Sequence, residues 1–319
     1  MHPSLRVIVF VAAVLTLVLV STLLVAAYER GAQRFRFSRG QAVTGTTTAT
    51  TAVSIDAIYL NPELGLILHY PSNWIPEQGG VSAMTLPTRF RGVDGFFELA
   101  VTGEPGMTLS LAVNDLAYGE EQPYGANPRI TAITVSGQEG RLIAATDPNI
   151  TDAAILVPFP RPVTLNGQSA AFLVLHTDQA HLEALAAQLR FVRNQSGEIT
   201  GLPNILVYEP RSNDVVDGTV SIVGVARVFP ASPAGRENTL SLRLVDPYTN
   251  RVFLEQTTMA TAPNAGAYGT FAIDLNFPRI ENLRSATLEV FQASPRDGLP
   301  ARQAGTPTDV VAIPLRFAP

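Results

Sequence analysis

The chain of 319 residues has no cysteine and no lysine, so all 22 of its basic residues are arginine. Without a thiol there is no disulfide, no cysteine-ligated zinc and no thiol nucleophile. Without a lysine amine there is no Schiff base, no Ser-Lys dyad and no P-loop lysine. Charge is also sparse: 15% of residues are charged and the net charge is −5, which leaves no electrostatic footprint for nucleic acid. There is one tryptophan, and there are four histidines. No G-x-S-x-G, H-E-x-x-H or dinucleotide fingerprint occurs.

What is plentiful is apolar surface. Hydrophobic residues make up 46% of the chain, enough for folded domains. The longest apolar run is Val7 to Ala27, broken only by Thr16, Ser21 and Thr22. As a helix it spans roughly 30 Å, so residues 1–29 read as a membrane anchor, a single transmembrane helix. Val25-Ala26-Ala27 leaves a cleaved signal peptide as the alternative. Arg30, Arg34, Arg36 and Arg39 after the run against Arg6 before it would hold the C-terminal side in the cytoplasm. A very short N-terminal tail and long following domains oppose that count, and the expectation is an extracytoplasmic C-terminal part at the cell membrane. Residues 30–54 read as an Arg/Thr-rich tether, with residues 40–54 rich in Thr, Ala and Gly.

Residues 55–193 alternate as short strands. In "MTLSLAVND" Leu109, Leu111 and Val113 share one face, which reads as a strand. In "TDQAHLEALAAQLRFV" the period changes: Leu182, Leu185, Ala186 and Leu189 line one face of a helix behind a Thr177/Asp178 cap. An antiparallel sheet closed by a terminal helix is an α+β domain. "RNQSGEITGLPN" (193–204) is polar and turn-rich and marks a boundary. Residues 203–319 are β throughout; Phe271, Ile273, Leu275 and Phe277 alternate with polar and small residues, as in an all-β sandwich.

Two resemblances follow from particular residues. Gly65, Tyr70, Pro71 and Trp74 in "LGLILHYPSNW", then Leu182, Leu185, Leu189 and Phe191, are similar to the PsbP-like family. That resemblance implies an α+β module over 55–193, opened by a strand and a Tyr-Pro-x-x-Trp corner. Ile205, Val207, Pro210, Val216, Val220, Ile222, Gly224, Ala226, Val228 and Phe229 resemble the immunoglobulin-like domain of bacterial spore-germination proteins. So do Leu288, Val290, Phe291, Ser294, Pro295, Asp297 and Gly298. Pro230 departs from that pattern, where members carry an acid. Both resemblances imply exported interaction modules, and the second implies one with no established catalytic role.

Candidate chemistry is thin. Tyr70, Pro71 and Trp74 form either a structural corner or, with Trp74 as a platform, a stacking site for a ligand. His69 alternates off the face of Leu68 and Tyr70 and reads as a strand histidine rather than a lone base. His176 and His181, five apart, lack the i, i+4 spacing and third ligand of a zinc helix. Asp214, Asp217, Asp246 and Asp297 sit in turns, either capping their own backbone or ringing a calcium site. Glu120 and Glu121 read as a solvated loop. No catalytic, cofactor or metal residue emerges. The expectation is a membrane-anchored, extracytoplasmic, non-enzymatic binding or assembly protein whose partners are envelope proteins or wall polymer. The alternatives are a ligand- or wall-polymer-binding protein and a carboxylate-dependent hydrolase.

Overall fold

Strands and turns follow the apolar alternation from Ile55 onward. The computed structural model describes residues 55–77, 84–193, 199–228, 239–264, 266–277, 283–292 and 310–318. They belong to one compact unit, Thr51–Pro319. From β1 (Ile55–Asn61) and β2 (Leu66–Pro71) the chain passes through β3 (Ile75–Pro76), β4 (Arg89–Arg91) and β5 (Phe96–Thr102) to helix α1 (Leu109–Tyr118). It continues as β6 (Arg129–Val135), β7 (Gln138–Ala144), β8 (Asp152–Leu165), β9 (Gln168–Asp178), helix α2 (Leu182–Gln188) and β10 (Leu189–Phe191).

These strands make a three-stranded sheet, β1-β2-β10, and a seven-stranded one, β3-β4-β5-β9-β8-β7-β6. Alternation places Ile155, Val157, Leu173 and Leu175 on one face of the large sheet, packed with α2 and the small sheet. Ala154, Leu156, Phe172 and Val174 lie on the other face, beneath Ala112, Val113 and Ala117 of α1. "AAILV" and "AFLVL" are unbroken apolar runs because both faces are covered. At the β1–β2 turn Gly65 has φ +61 and a Cβ there would lie 2.8 Å from the Val192 carbonyl, so only glycine fits.

The remaining strands are β11 (Ile205–Glu209), β12 (Val215–Val216), β13 (Thr219–Arg227), β14 (Thr239–Val245), β15 (Val252–Met259), β16 (Tyr268–Asn276), β17 (Ser285–Gln292) and β18 (Val310–Phe317). They form two facing sheets, β11-β13-β16 and β12-β18-β17-β14-β15. Ile222, Phe271 and Leu275 meet Leu240, Leu242, Leu288 and Val290 in the sandwich core. The outer face of β11-β13-β16 is apolar too. Tyr208, Val225 and Tyr268 are buried in the same cluster as Tyr59, Phe90 and Phe97 of the first module.

Three expectations are corrected. The fold class began with a transmembrane helix. Among the described residues, however, no helix is long and apolar enough to cross a membrane. The two described helices have 10 and 7 residues against the roughly 20 that a span needs, and the other described elements are strands. The anchor (1–29) and tether (30–54) lie outside the described residues, as do Asp297, Phe229 and Pro230. Leu109–Tyr118 is a helix, not a strand. Thr108 caps it by accepting from the Leu111 amide at 3.3 Å, and Ala112, Val113 and Ala117 recur at helical spacing on its buried side. The terminal helix is shorter than expected. Leu189 is already extended and pairs with Leu68, so the module closes on a strand, not on a helix.

Candidate functional site

Ionisable groups of the first module gather where β3, β4, β5, β8 and β9 end beside the start of α2. The Tyr70-Pro71-Ser72-Asn73-Trp74 corner is a turn closed by the Trp74 amide on the Pro71 carbonyl, 3.0 Å. It drives the indole fully inside. There the indole Nε1–H donates to Asp94 Oδ1 at 2.8 Å. That bond holds the Asp94 carboxyl below its usual range. Asp94 stands in a tight turn in which the Gly92 amide donates to the Gly95 carbonyl, 2.8 Å. A Cβ on Gly95 would lie 2.5 Å from Asp178 Oδ2 and 2.7 Å from His181 Nδ1. Only a glycine lets the turn approach so closely.

Asp178 ends β9 and ties the next segment down. Its Oδ1 accepts from the His181 amide at 3.1 Å and meets the ring Nδ1 at 2.7 Å. The hydrogen bond to Asp178 raises the His181 pKa, against an opposing effect of burial. The His181 ring is 4.9 Å from the Trp74 ring, edge to face. Trp74, Asp94, His181 and Asp178 thus form a clasp between the corner and the first turn of α2.

A second polar group lies along the α1 face of the sheet. Tyr124 and His176 Nδ1 are 3.0 Å apart. Burial lowers the His176 pKa to about 4 and pushes that of Tyr124 up, so both are neutral and the phenol keeps its proton. Glu98 pairs with His176 across the strands, and Asp152 with Asp178. Burial raises the pKa of both carboxyls; Asp178 adds repulsion for Asp152, and Arg89 partly offsets the effect at Glu98. Arg89 and Arg91 bridge to Glu77 at 2.8 and 3.1 Å, a half-exposed ladder of the kind that adds little stability.

The residues singled out from sequence are thereby placed. Tyr70 and Trp74 are buried at one corner, and a ring with no exposed face has none to offer a ligand. His69 is half-buried opposite Ile58. His176 and His181 turn to different partners, Tyr124 and Asp178. Asp246 accepts from the Tyr248 amide at 2.8 Å and the Thr249 hydroxyl at 2.8 Å, and Asp214 from the Arg211 amide at 2.7 Å; both cap their own turns. Among the described residues no three His, Asp or Glu side chains group closely enough to hold a metal. Sequence reasoning missed Asp94, Glu98, Tyr124 and Asp152. Only Asp94 left a signal, the Asp-Gly turn dipeptide that places it.

Away from the clasp lies an open cleft of about 580 Å³ between the β1–β2 turn and the middle of β8. Phe159 and Phe191 line it with their rings 5.6 Å apart, and Arg161 and Arg193 stand on its rim. β8 changes register between Pro158 and Val163, and its three prolines there carry no N–H to donate, so this stretch leaves the ladder.

Set against known proteins, residues 204–299 match a family profile described as the immunoglobulin-like domain of bacterial spore germination. No curated protein matches the chain. Among solved structures, the cyanobacterial PsbP of Synechocystis is similar at 13% identity and TM-score 0.28, over 46% of this chain and 98% of that one. A likeness of that size fixes neither fold nor function. The stretch that resembles the immunoglobulin-like domain of bacterial spore germination, residues 204–299, thus takes in strands β11 to β17.

Proposed function

We propose that the protein is a non-enzymatic binding or assembly protein of the cell envelope, held at the membrane on its extracytoplasmic side, with envelope proteins or wall polymer as partners. The observation that carries the reading is the match of residues 204–299 to an immunoglobulin-like domain, built as two facing β-sheets. The clasp supports it: its imidazole and indole are spent on Asp178 and Asp94, holding a corner in place. The location rests on the sequence, where the run from Val7 to Ala27 has the apolar length of a membrane-targeting segment. Protease added to intact, wall-stripped cells is expected to release a fragment beginning within residues 40–54. Cleavage only after lysis would overturn the location.

One observation favours binding of a wall polymer as a second reading: the cleft lined by the half-buried Phe191 together with Arg161 and Arg193, which joins an aromatic ring to guanidinium donors. In that case the protein sediments with insoluble wall polymer and Arg161→Ala releases it. A protein that stays in the supernatant sinks the second reading.

A further inference from the structure

We infer that the outer face of the β11-β13-β16 sheet is a docking surface, and that its partner is the first module of the same chain. The immunoglobulin-like sandwich is then half of a pair, whichever envelope partner the protein meets.

The strand pattern supplies the first reason. On β13, Ile222 and Ala226 point into the sandwich core, while Val223 and Val225 point away from it. On β11, Leu206 and Tyr208 likewise face outward, as does Tyr268 on β16. A sandwich strand whose outer face met water would carry polar residues there. Val225 and Tyr268 are instead 0% exposed and Tyr208 4%. A sandwich without its neighbour would show water a continuous apolar patch of the kind that marks an interaction site.

The second reason is chemical. β1 is the edge of its sheet, so alternate backbone groups along it lack a strand partner. The Tyr208 hydroxyl donates to the Leu60 carbonyl at 3.0 Å and accepts from the Leu60 amide at 2.9 Å. One hydroxyl can satisfy both groups because it is donor and acceptor at once. All three atoms are buried, and a phenylalanine there would strand a donor and an acceptor. The Tyr208 ring packs 5.3 Å from Tyr59 and 6.4 Å from Phe90. At the rim Arg211 donates to the Ser72 carbonyl at 3.1 Å and to the Tyr70 hydroxyl at 3.4 Å. The surface therefore has an apolar centre, one central polar anchor and a polar rim, the anatomy of a specific interface.

The test uses the full chain with a specific protease site set into residues 194–198, cut under native conditions. The two fragments are expected to stay together and elute as one 1:1 species at micromolar concentration. Tyr208→Phe, which keeps the ring, is expected to weaken the fragment pair at least tenfold. Val225→Asp, which buries a charge, is expected to separate the pair and leave the sandwich fragment binding a hydrophobic dye. Circular dichroism of each uncut variant checks that it is folded before cutting. If the wild-type fragments part on cutting, or if Tyr208→Phe leaves their affinity unchanged, the inference fails.

Discussion

His176 and His181 sit five residues apart and respond to pH in opposite senses. Burial holds His176 neutral, with its pKa lowered from 6.5 to about 4. A lowered histidine pKa means that the unfolded chain takes up the proton first. The contribution is thus present above pH 6.5 and is lost as the pH falls from there toward 4. At pH 5 that loss amounts to about 2 kcal/mol relative to neutral pH. His181 behaves inversely. Its pKa is raised by Asp178, so its contribution is full below 6.5 and is lost as the pH rises through the raised value. The ring proton signals of the two residues are expected to titrate on opposite sides of 6.5, and a His176 that titrates near 6.5 would contradict its burial. From sequence the pair was an unfit metal site and nothing more. What separates the two residues is tertiary: Tyr124 comes from 52 positions away, and the Trp74 edge from across the β3 corner. No local pattern announces such partners.

At the scale of elements, the instructive case is "MTLSLAVND". Leu109, Leu111 and Val113 satisfy a period of two, whereas Leu109, Ala112, Val113, Leu116 and Ala117 satisfy a period of 3.6 across a longer window. The short window favoured the strand because alanines carry little weight as apolar markers. Yet small residues are what a helix needs to lie close on a sheet. The two readings disagree about which side chains are inside, so they are separable. In the helix Ala112 is 2% exposed and Leu111 is 49% exposed. Ala112→Asp is therefore expected to cost several kcal/mol, as an unpaired buried charge does, and Leu111→Asp no more than about 0.5 kcal/mol. Urea midpoints for the two variants check this, and the reverse order would restore the strand. The end of the first module shows a related limit. Leu182, Leu185 and Leu189 do share an apolar spacing, and all are buried, but Leu189 is buried as a strand residue beside Leu68. Burial was legible there. The switch from helix to strand was not, because residues of both kinds face the same core.

For the whole molecule, what escaped the sequence was how the two β-rich stretches meet. "IVGVA" (222–226) is apolar on both faces, and that much can be read directly. An apolar outer face does not say what covers it, since a neighbouring module, a second copy and a partner protein all demand the same residues. The structure supplies Tyr59, Phe90 and the Leu60 backbone as the cover. The two modules then share one hydrophobic cluster that runs from Leu185 to Tyr268. Cooperative unfolding should follow, because separating the modules exposes that cluster on both sides. Trp74 offers a direct reading of it. It is the chain's sole tryptophan, it lies wholly in the first module, and at 0% exposure its emission is expected to be blue-shifted. Leu242 lies at the centre of the sandwich core, also at 0% exposure, on the far sheet from the interface. Leu242→Ala removes buried methyl groups there and is expected to cost about 2–5 kcal/mol. With coupled modules, that loss moves the Trp74-detected urea midpoint down by the same free energy as the midpoint followed by circular dichroism. With independent modules, the Trp74 transition of Leu242→Ala overlays that of the wild type while circular dichroism splits into two steps. The shared cluster predicts the first result.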